Sequence, residues 1–269
     1  MSGLERAGGL AYRQDGERTA PAVQLVHGYP ESSYMWRDAL PALAAAGWRA
    51  LAPDLPGYGD SEPDPPATWE RHIEALGRFV GELELGPVVL VTHDWGVPIG
   101  LRWACDHPGA VSALVISDGG FFSDRRWHDL ANVMRTPGEG EQLIRAYTRE
   151  GFEAAMGAVS SGMSESAIEE YWKAFADDTR RLGHLELYRS GEFDKLVPYE
   201  GRVAALDVPA LILWGQDDRF AGVEMAKRFR EEIPGSELIV LDGAGHFVWD
   251  DEPERATGAL VDFLRRRLA

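Results

Sequence analysis

The sequence predicts an α/β fold: a mostly parallel sheet flanked by helices on both faces, with a helical insertion ahead of its last strands. Three observations predict it. Short aliphatic runs alternate with stretches of helical spacing over residues 22–116. Between residues 119 and 201 the alternation stops and only helical spacing remains. From Ala210 two further strand–helix units close the chain. The expected division is a core domain of residues 1–118 and 202–269, with residues 119–201 as a helical cap.

Taken in order, residues 8–20 read as a strand or hairpin with Gly16 at a turn. Ala22-Val23-Gln24-Leu25-Val26 is an apolar strand ending in His27-Gly28-Tyr29-Pro30. A helix is expected over residues 33–46 and a strand over 48–51. Residues 53–61 form a loop dense in turn formers. Residues 68–85 are helical, with Ile73, Leu76, Phe79 and Val80 on one face. Val88-Val89-Leu90-Val91 is the next strand, followed by a helix over residues 97–106 and a strand over 111–116.

In the insertion, residues 139–156 and 164–189 have helical spacing, and Ser166 with Glu169 fits a capping box. An insertion of this kind reads as a lid, which excludes water from a reaction. Beyond it come strands over 210–214 and 238–241, and helices over 223–232 and 253–268. In a parallel sheet of this type function belongs at the carboxyl ends of the strands. His27-Gly28, the end of the 88–91 strand and the end of the 111–116 strand therefore share one rim.

The chemistry turns on Thr92-His93-Asp94-Trp95-Gly96. A strand breaking into a tight turn that opens onto a helix is the setting of a nucleophile elbow. Serine hydrolases carry Gly-x-Ser-x-Gly there. This chain has no such motif, and Asp94 occupies the slot. Serine attacking a saturated carbon gives an ether that water does not readily cleave; a carboxylate gives an ester that activated water opens. Aspartate here points to displacement at an alkyl carbon. Helix capping is the competing role for Asp94, and the residues at the other strand ends weigh against it.

The formal charge of −17 and pI near 4.8 disfavour nucleic acid and anionic membranes as partners. The 45% hydrophobic content supports a sizeable core. Cys105 is the single cysteine, so no internal disulfide forms, and a small buried hydrophobe is its expected role. The first six residues lack a signal-type apolar core and no apolar run is long enough to span a bilayer, so a soluble cytoplasmic protein is expected.

Two later signals complete the site. Trp214-Gly215-Gln216-Asp217-Asp218 leaves one strand end, and Gly243-Ala244-Gly245-His246 follows the last strand. A histidine there, oriented by a carboxylate, is a general base. Through His27-Gly28-Tyr29-Pro30, the run Asp54-Leu55-Pro56-Gly57-Tyr58-Gly59-Asp60-Ser61, His93-Asp94-Trp95-Gly96 and Gly245-His246, the chain from about residue 9 onward resembles the α/β-hydrolase superfamily. The resemblance is to the branch holding haloalkane dehalogenases, fluoroacetate dehalogenases and epoxide hydrolases. It implies Asp94 as nucleophile, His246 as activator of the hydrolytic water, and the backbone N–H groups of Tyr29 and Trp95 as an oxyanion hole. It also implies a small apolar organic substrate, with no cofactor and no metal. The triad acid is open between Asp218, on a Gly-x-x-Asp loop, and Asp118. Asp218 is preferred.

The leaving group is open as well. A departing halide needs N–H donors, and the resemblance makes Trp95 one of them. The usual places for the second carry Tyr29 and, in the lid, a residue near Val159, so Trp127 or His128 is the substitute. The lid resembles that of haloalkane dehalogenases over residues 135–141 and 164–181, and carbon–halogen cleavage leads. Epoxide opening needs acidic O–H donors, usually two lid tyrosines. Tyr188 matches one, the other falls near Leu130, and Tyr147 and Tyr171 are spare candidates. A fluoroacetate specialist is disfavoured because Trp95 and Pro98 stand where its arginines would follow the nucleophile. A non-catalytic ligand-binding member is disfavoured by the complete Asp–His–acid set.

Overall fold

The aliphatic runs become one eight-stranded sheet in the computed structural model, which describes residues 4–268. The strands are β1 (Glu5–Ala7), β2 (Leu10–Asp15), β3 (Ala22–Val26), β4 (Arg49–Pro53), β5 (Val88–His93), β6 (Val111–Ser117), β7 (Ala210–Gly215) and β8 (Glu237–Leu241). Their spatial order is β1-β2-β4-β3-β5-β6-β7-β8. The β1–β2 and β2–β4 pairs are antiparallel and all later pairs parallel. Helices α1 (Ala39–Ala45), α2 (Trp69–Glu82), α3 (Gly96–Asp106), α9 (Glu224–Glu232) and α11 (Pro253–Leu268) belong to this core. Every residue of β5 is buried, as expected of a strand covered on both faces.

Several boundaries differ from expectation. The first hairpin turns at Gly8-Gly9, both with positive φ, and Gly16 follows the end of β2. The expected helix over 33–46 is a 3-10 turn at Ser33–Trp36 followed by α1. A short helix α10 (Val248–Asp251) precedes α11. Cys105 is buried, and burial pushes its thiol up to about 11. The first three residues of the expected leaderless start, Met1, Ser2 and Gly3, lie outside the described residues.

Between β6 and β7 the chain forms α4 (Asp129–Arg135), α5 (Glu139–Ala146), α6 (Arg149–Gly157), α7 (Glu165–Trp172) and α8 (Asp178–Ser190), with no strand among the described residues. The expected helix over 139–156 is α5 and α6, that over 164–189 is α7 and α8, and α4 precedes both outside the expected spans. The breaks are capping events: the Thr148 hydroxyl accepts the Gly151 N–H at 3.0 Å, and the Asp177 carboxylate accepts that of Arg180 at 2.9 Å. The cap of α7 is Ser164, whose hydroxyl accepts the Ala167 N–H at 3.2 Å, so the box expected at Ser166 and Glu169 does not form. The insertion is tied to the core. The Trp69 N–H donates to the Ser190 hydroxyl at 2.8 Å and the Arg180 guanidinium to the Gly57 carbonyl at 2.9 Å.

The parallel register aligns the strand ends. His93 pairs with Ser117, and Ser117 with Leu213, so Asp94, Asp118 and Gly215 emerge together. The loop over residues 53–61 is held by Asp54, whose carboxylate accepts the Ser33 and Asp60 N–H groups at 2.7 and 2.9 Å. That motif shapes the rim and stands outside the reacting groups.

Candidate active site

Asp94 leaves β5 with φ of 47°, in the left-handed region. A non-glycine residue there carries strain of about 1–3 kcal/mol, which surrounding structure must hold in place. Close backbone approach does so. A Cβ at Gly28 would stand 2.4 Å from the Asp94 Cβ, and one at Gly96 would stand 2.2 Å from the Val26 carbonyl oxygen. The two glycines let the β3 loop press against the elbow. The Val97 N–H donates to the Asp94 carbonyl at 3.0 Å, closing the turn into α3.

The loop after β3 supplies the first partner. The Tyr29 N–H donates to Asp94 Oδ1 at 2.7 Å. His27 pins this loop: its Nε2 accepts the Leu55 N–H at 2.9 Å, which leaves Nδ1–H to donate to the Gly28 carbonyl at 2.8 Å. The second partner is His246, whose Nε2 lies 3.4 Å from Asp94 Oδ2. Its Nδ1 lies 2.9 Å from Asp218 Oδ2. Asp218 is itself fixed, because its Oδ1 accepts the Phe220 and Ala221 N–H groups at 2.7 and 2.9 Å. The Gly245 N–H donates to Asp251 at 2.8 Å and holds the histidine loop.

The charges follow from these contacts. Burial opposes ionisation of Asp94, yet hydrogen bonding and attraction from His246, helped by the Tyr29 N–H, hold its carboxyl at about 2. Burial works against charge on His246 too, and the Asp218 and Asp94 carboxylates overcome it, raising the imidazole well above its ordinary range. Asp218 is lowered despite burial by His246 and its backbone donors. Asp118 goes the other way. Burial and the neighbouring Asp218 raise it well above the carboxylate range, and its Oδ1 accepts the Gly215 N–H at 2.9 Å. Asp118 Oδ2 lies 3.8 Å from His93 Nδ1, while His246 bonds to Asp218. His93 is kept neutral by burial, at about 3.

Two cavities meet at Asp94. One, of about 460 Å³, is bounded by Trp95, Trp127, Arg125, Tyr188 and Phe193. The other, of about 320 Å³, is bounded by Tyr29, Leu130, His246 and Phe247. Asp94, His128, Tyr188 and Phe220 line both. Trp95 and Trp127 stack with ring centroids 5.5 Å apart, and the Tyr188 ring meets Trp95 edge-on at 5.2 Å. The Trp127 indole N–H is buried and has no hydrogen-bond partner. Burial pushes the Tyr188 phenol well up, and the neighbouring Trp95 opposes that push.

The expected residues thus fall into two groups. Asp94, His246, Asp218, Tyr29, Trp95, Trp127 and Tyr188 converge on the cavities. His128 reaches them too, but its Nδ1 accepts the Ala131 N–H at 3.2 Å as the cap of α4. Tyr171 is drawn elsewhere, donating to buried Asp250 at 2.8 Å, and Tyr147 packs on Phe175. Val159 borders a separate surface hollow with Gly245 and Asp251. The sequence reading did not single out Arg125, Phe193 and Phe220, which line the larger cavity, or buried Glu31, whose Oε2 is 3.4 Å from His93 Nε2. The doubled Arg125-Arg126 just past a strand end was the available signal for the first.

Residues 21–253 match the family described as the alpha/beta hydrolase fold, and the chain belongs to that family. Among curated proteins it is 28% identical over 273 residues to a haloalkane dehalogenase of Psychrobacter cryohalolentis, covering 94% of this chain and 86% of that one. It is also 28% identical over 307 residues to an epoxide hydrolase of Caballeronia sordidicola, covering 96% and 91%. Among solved structures, a haloalkane dehalogenase from Bradyrhizobium elkani superposes with a TM-score of 0.84 at 27% identity, covering 98% and 97%.

Proposed function

We propose that the protein hydrolyses carbon–halogen bonds of small halogenated aliphatics through an ester on Asp94. The observation that carries this is a carboxylate, not a hydroxyl, at the strained elbow, with His246 bonded to Asp218 on one side and an unpartnered indole N–H in the cavity on the other. In the first half-reaction one Asp94 oxygen attacks the substrate carbon, the carbon–halogen pair of electrons leaves with the halide, and a carbon–oxygen bond replaces it. Trp95 and Trp127 offer N–H groups to the departing anion, and neither indole has a lone pair to repel it.

In the second half-reaction His246 takes a proton from water, and the resulting hydroxide adds to the Asp94 ester carbon. The tetrahedral oxyanion is stabilised by the Tyr29 and Trp95 N–H groups; one such donor is typically worth about 3 kcal/mol. Collapse releases the alcohol and restores the carboxylate. Asp218 orients and charges the imidazole. Asp118, whose carboxyl burial and Asp218 push upward, serves the packing of the Gly215 turn. Residues 119–201 act as the lid that closes the larger cavity over the reacting carbon, and residues 1–118 with 202–269 as the core domain.

Esterification also tunes the base. It removes the Asp94 negative charge, one of the two that hold His246 protonated, so the imidazole can release its proton to solvent and stand neutral, free to accept one from water.

Epoxide opening is the second reading, favoured by one observation: Tyr188 lines the same cavity as Asp94, with Tyr29 packed edge-on against it at 5.4 Å. Leu130 occupies the place expected for a second lid tyrosine, which keeps this reading behind. Turnover in water enriched in heavy oxygen tests the shared chemistry. Label should accumulate in the Asp94 carboxylate over repeated turnovers, and its absence there sinks the ester mechanism. Parallel assays for halide from 1-chlorobutane and diol from styrene oxide then separate the two readings.

A further inference from the structure

Arg125 is out of place in an aromatic cavity. Its neighbours on the insertion and on α9 are paired: Arg135 with Glu192 at 2.6 Å and Arg228 with Asp124 at 2.6 Å. Arg125 has no carboxylate partner among the described residues. Its guanidinium offers one long hydrogen bond, 3.4 Å to the Phe220 carbonyl, and lies 5.7 Å from the centroid of the Phe193 ring. It packs on the backbone of Gly120, where a Cβ would stand 2.4 Å from Nη1. That glycine follows β6 by three residues, so the guanidinium is held against the same rim that carries Asp94. Burial depresses its pKa despite the upward pull of the Asp94 and Asp218 carboxylates, neither of which bonds to it.

A guanidinium has five N–H donors in a planar fork matched to a carboxylate. Most of them are unused here, and they line the cavity in which the substrate carbon must sit. We infer that Arg125 receives the carboxylate of the substrate, so that the preferred substrates are short halogenated aliphatic acids rather than neutral haloalkanes. This rests on the dehalogenase reading above and narrows it. The aromatic walls hold the carbon chain, Asp94 attacks the halogen-bearing carbon, and Arg125 offsets the repulsion between Asp94 and the incoming acid. The apolar substrate expected from family resemblance is thereby replaced by an amphipathic one.

The test compares 3-chloropropionate and 4-chlorobutyrate with 1-chlorobutane and 4-chlorobutyronitrile, read as chloride release. The acids should exceed their neutral counterparts about tenfold or more in kcat/KM, as expected of a charge-assisted pair. Arg125→Met should erase that advantage through KM while changing the neutral substrates less than about threefold, and Arg125→Lys should restore part of it. Equal loss on acids and neutral halides, with weaker inhibition by free chloride, would instead assign Arg125 to the leaving halide and overturn the inference.

Butyrate and butyramide binding, followed by tryptophan fluorescence, gives a readout independent of turnover. Preferential butyrate binding that Arg125→Met abolishes supports the inference even if no halide is released from any substrate, an outcome that would sink the dehalogenase reading alone. Indifference of the unmodified protein to the charge of the ligand overturns the inference without touching that reading.

Discussion

The two cavities that meet at Asp94 are built from different chemistry. The larger is walled by stacked indoles, Phe193 and a guanidinium, so apart from the shared Asp94, His128 and Tyr188 its polar side chains are N–H donors. The smaller holds His246, bonded to Asp218 and poised as a proton acceptor once Asp94 is neutralised. On the proposed mechanism this difference separates the two half-reactions in space, with a carbon and a departing anion on one side of the carboxylate and water with its base on the other. A serine elbow needs no such division, because the same histidine serves both steps of acyl transfer.

The sharpest way to break this division is to remove the base and keep the nucleophile. His246→Phe should leave alkylation running and abolish ester hydrolysis, so intact-protein mass spectrometry should find one substrate-derived adduct per chain. Acid should do the same reversibly. Asp94 is held at about 2 and remains ionised through mildly acidic solution, so alkylation continues. His246 gains a proton as pH falls, and losing the Asp94 charge on esterification brings that protonation into an accessible range. Steady-state turnover should therefore decline as pH falls to about 5, below the ordinary histidine range, with ester accumulating. A decline without ester would place the sensitive group in the first half-reaction.

The next effect concerns the two acids. Asp218→Asn removes the charge facing His246 and permits the wrong imidazole tautomer, and should cost about a hundredfold to ten-thousandfold in turnover. Asp118→Asn removes a carboxyl that burial already biases toward its neutral form and preserves the acceptor for the Gly215 N–H, so a change under about threefold is expected. The reverse order, measured as single-turnover ester hydrolysis, would exchange their roles.

These pairs also mark what could be read before the structure. The strands, the elbow and the Gly245-His246 loop were legible because their signals are local: aliphatic runs, turn residues and glycines lie within a few positions of each other. The choice between Asp118 and Asp218 was weighted toward Asp218 on motif grounds alone. Both follow strand ends, and they differ in burial and in which backbone donors reach them, which only the tertiary fold fixes. The insertion was legible as helical but not in its breaks, because Thr148 and Asp177 are common polar residues whose capping depends on the path of the chain. The doubled Arg125-Arg126 was visible in the sequence, but its isolation was not, since an unpaired cation is defined by the carboxylates that are elsewhere.

The smallest effect tests the donor side. Trp127→Phe keeps an aromatic ring for stacking on Trp95 and for the Arg135 guanidinium 5.3 Å from its centroid, but removes an indole N–H that is buried without a partner beside the lid cavity. Since that N–H has no bond to lose in the resting protein, its removal should spare the fold. It should cost only where an anion develops, about tenfold at the lower end of hydrogen bonds to charged groups. Chloride substrates should suffer more than bromide ones, because the poorer leaving group depends more on the donor. Tyr188→Phe supplies the contrast. It should barely alter halide release, yet should cripple any epoxide opening, which needs an O–H to protonate the alkoxide oxygen. If Tyr188→Phe proves the more damaging change on both substrate classes, the larger cavity handles departing oxygen rather than halide, and the second reading displaces the first.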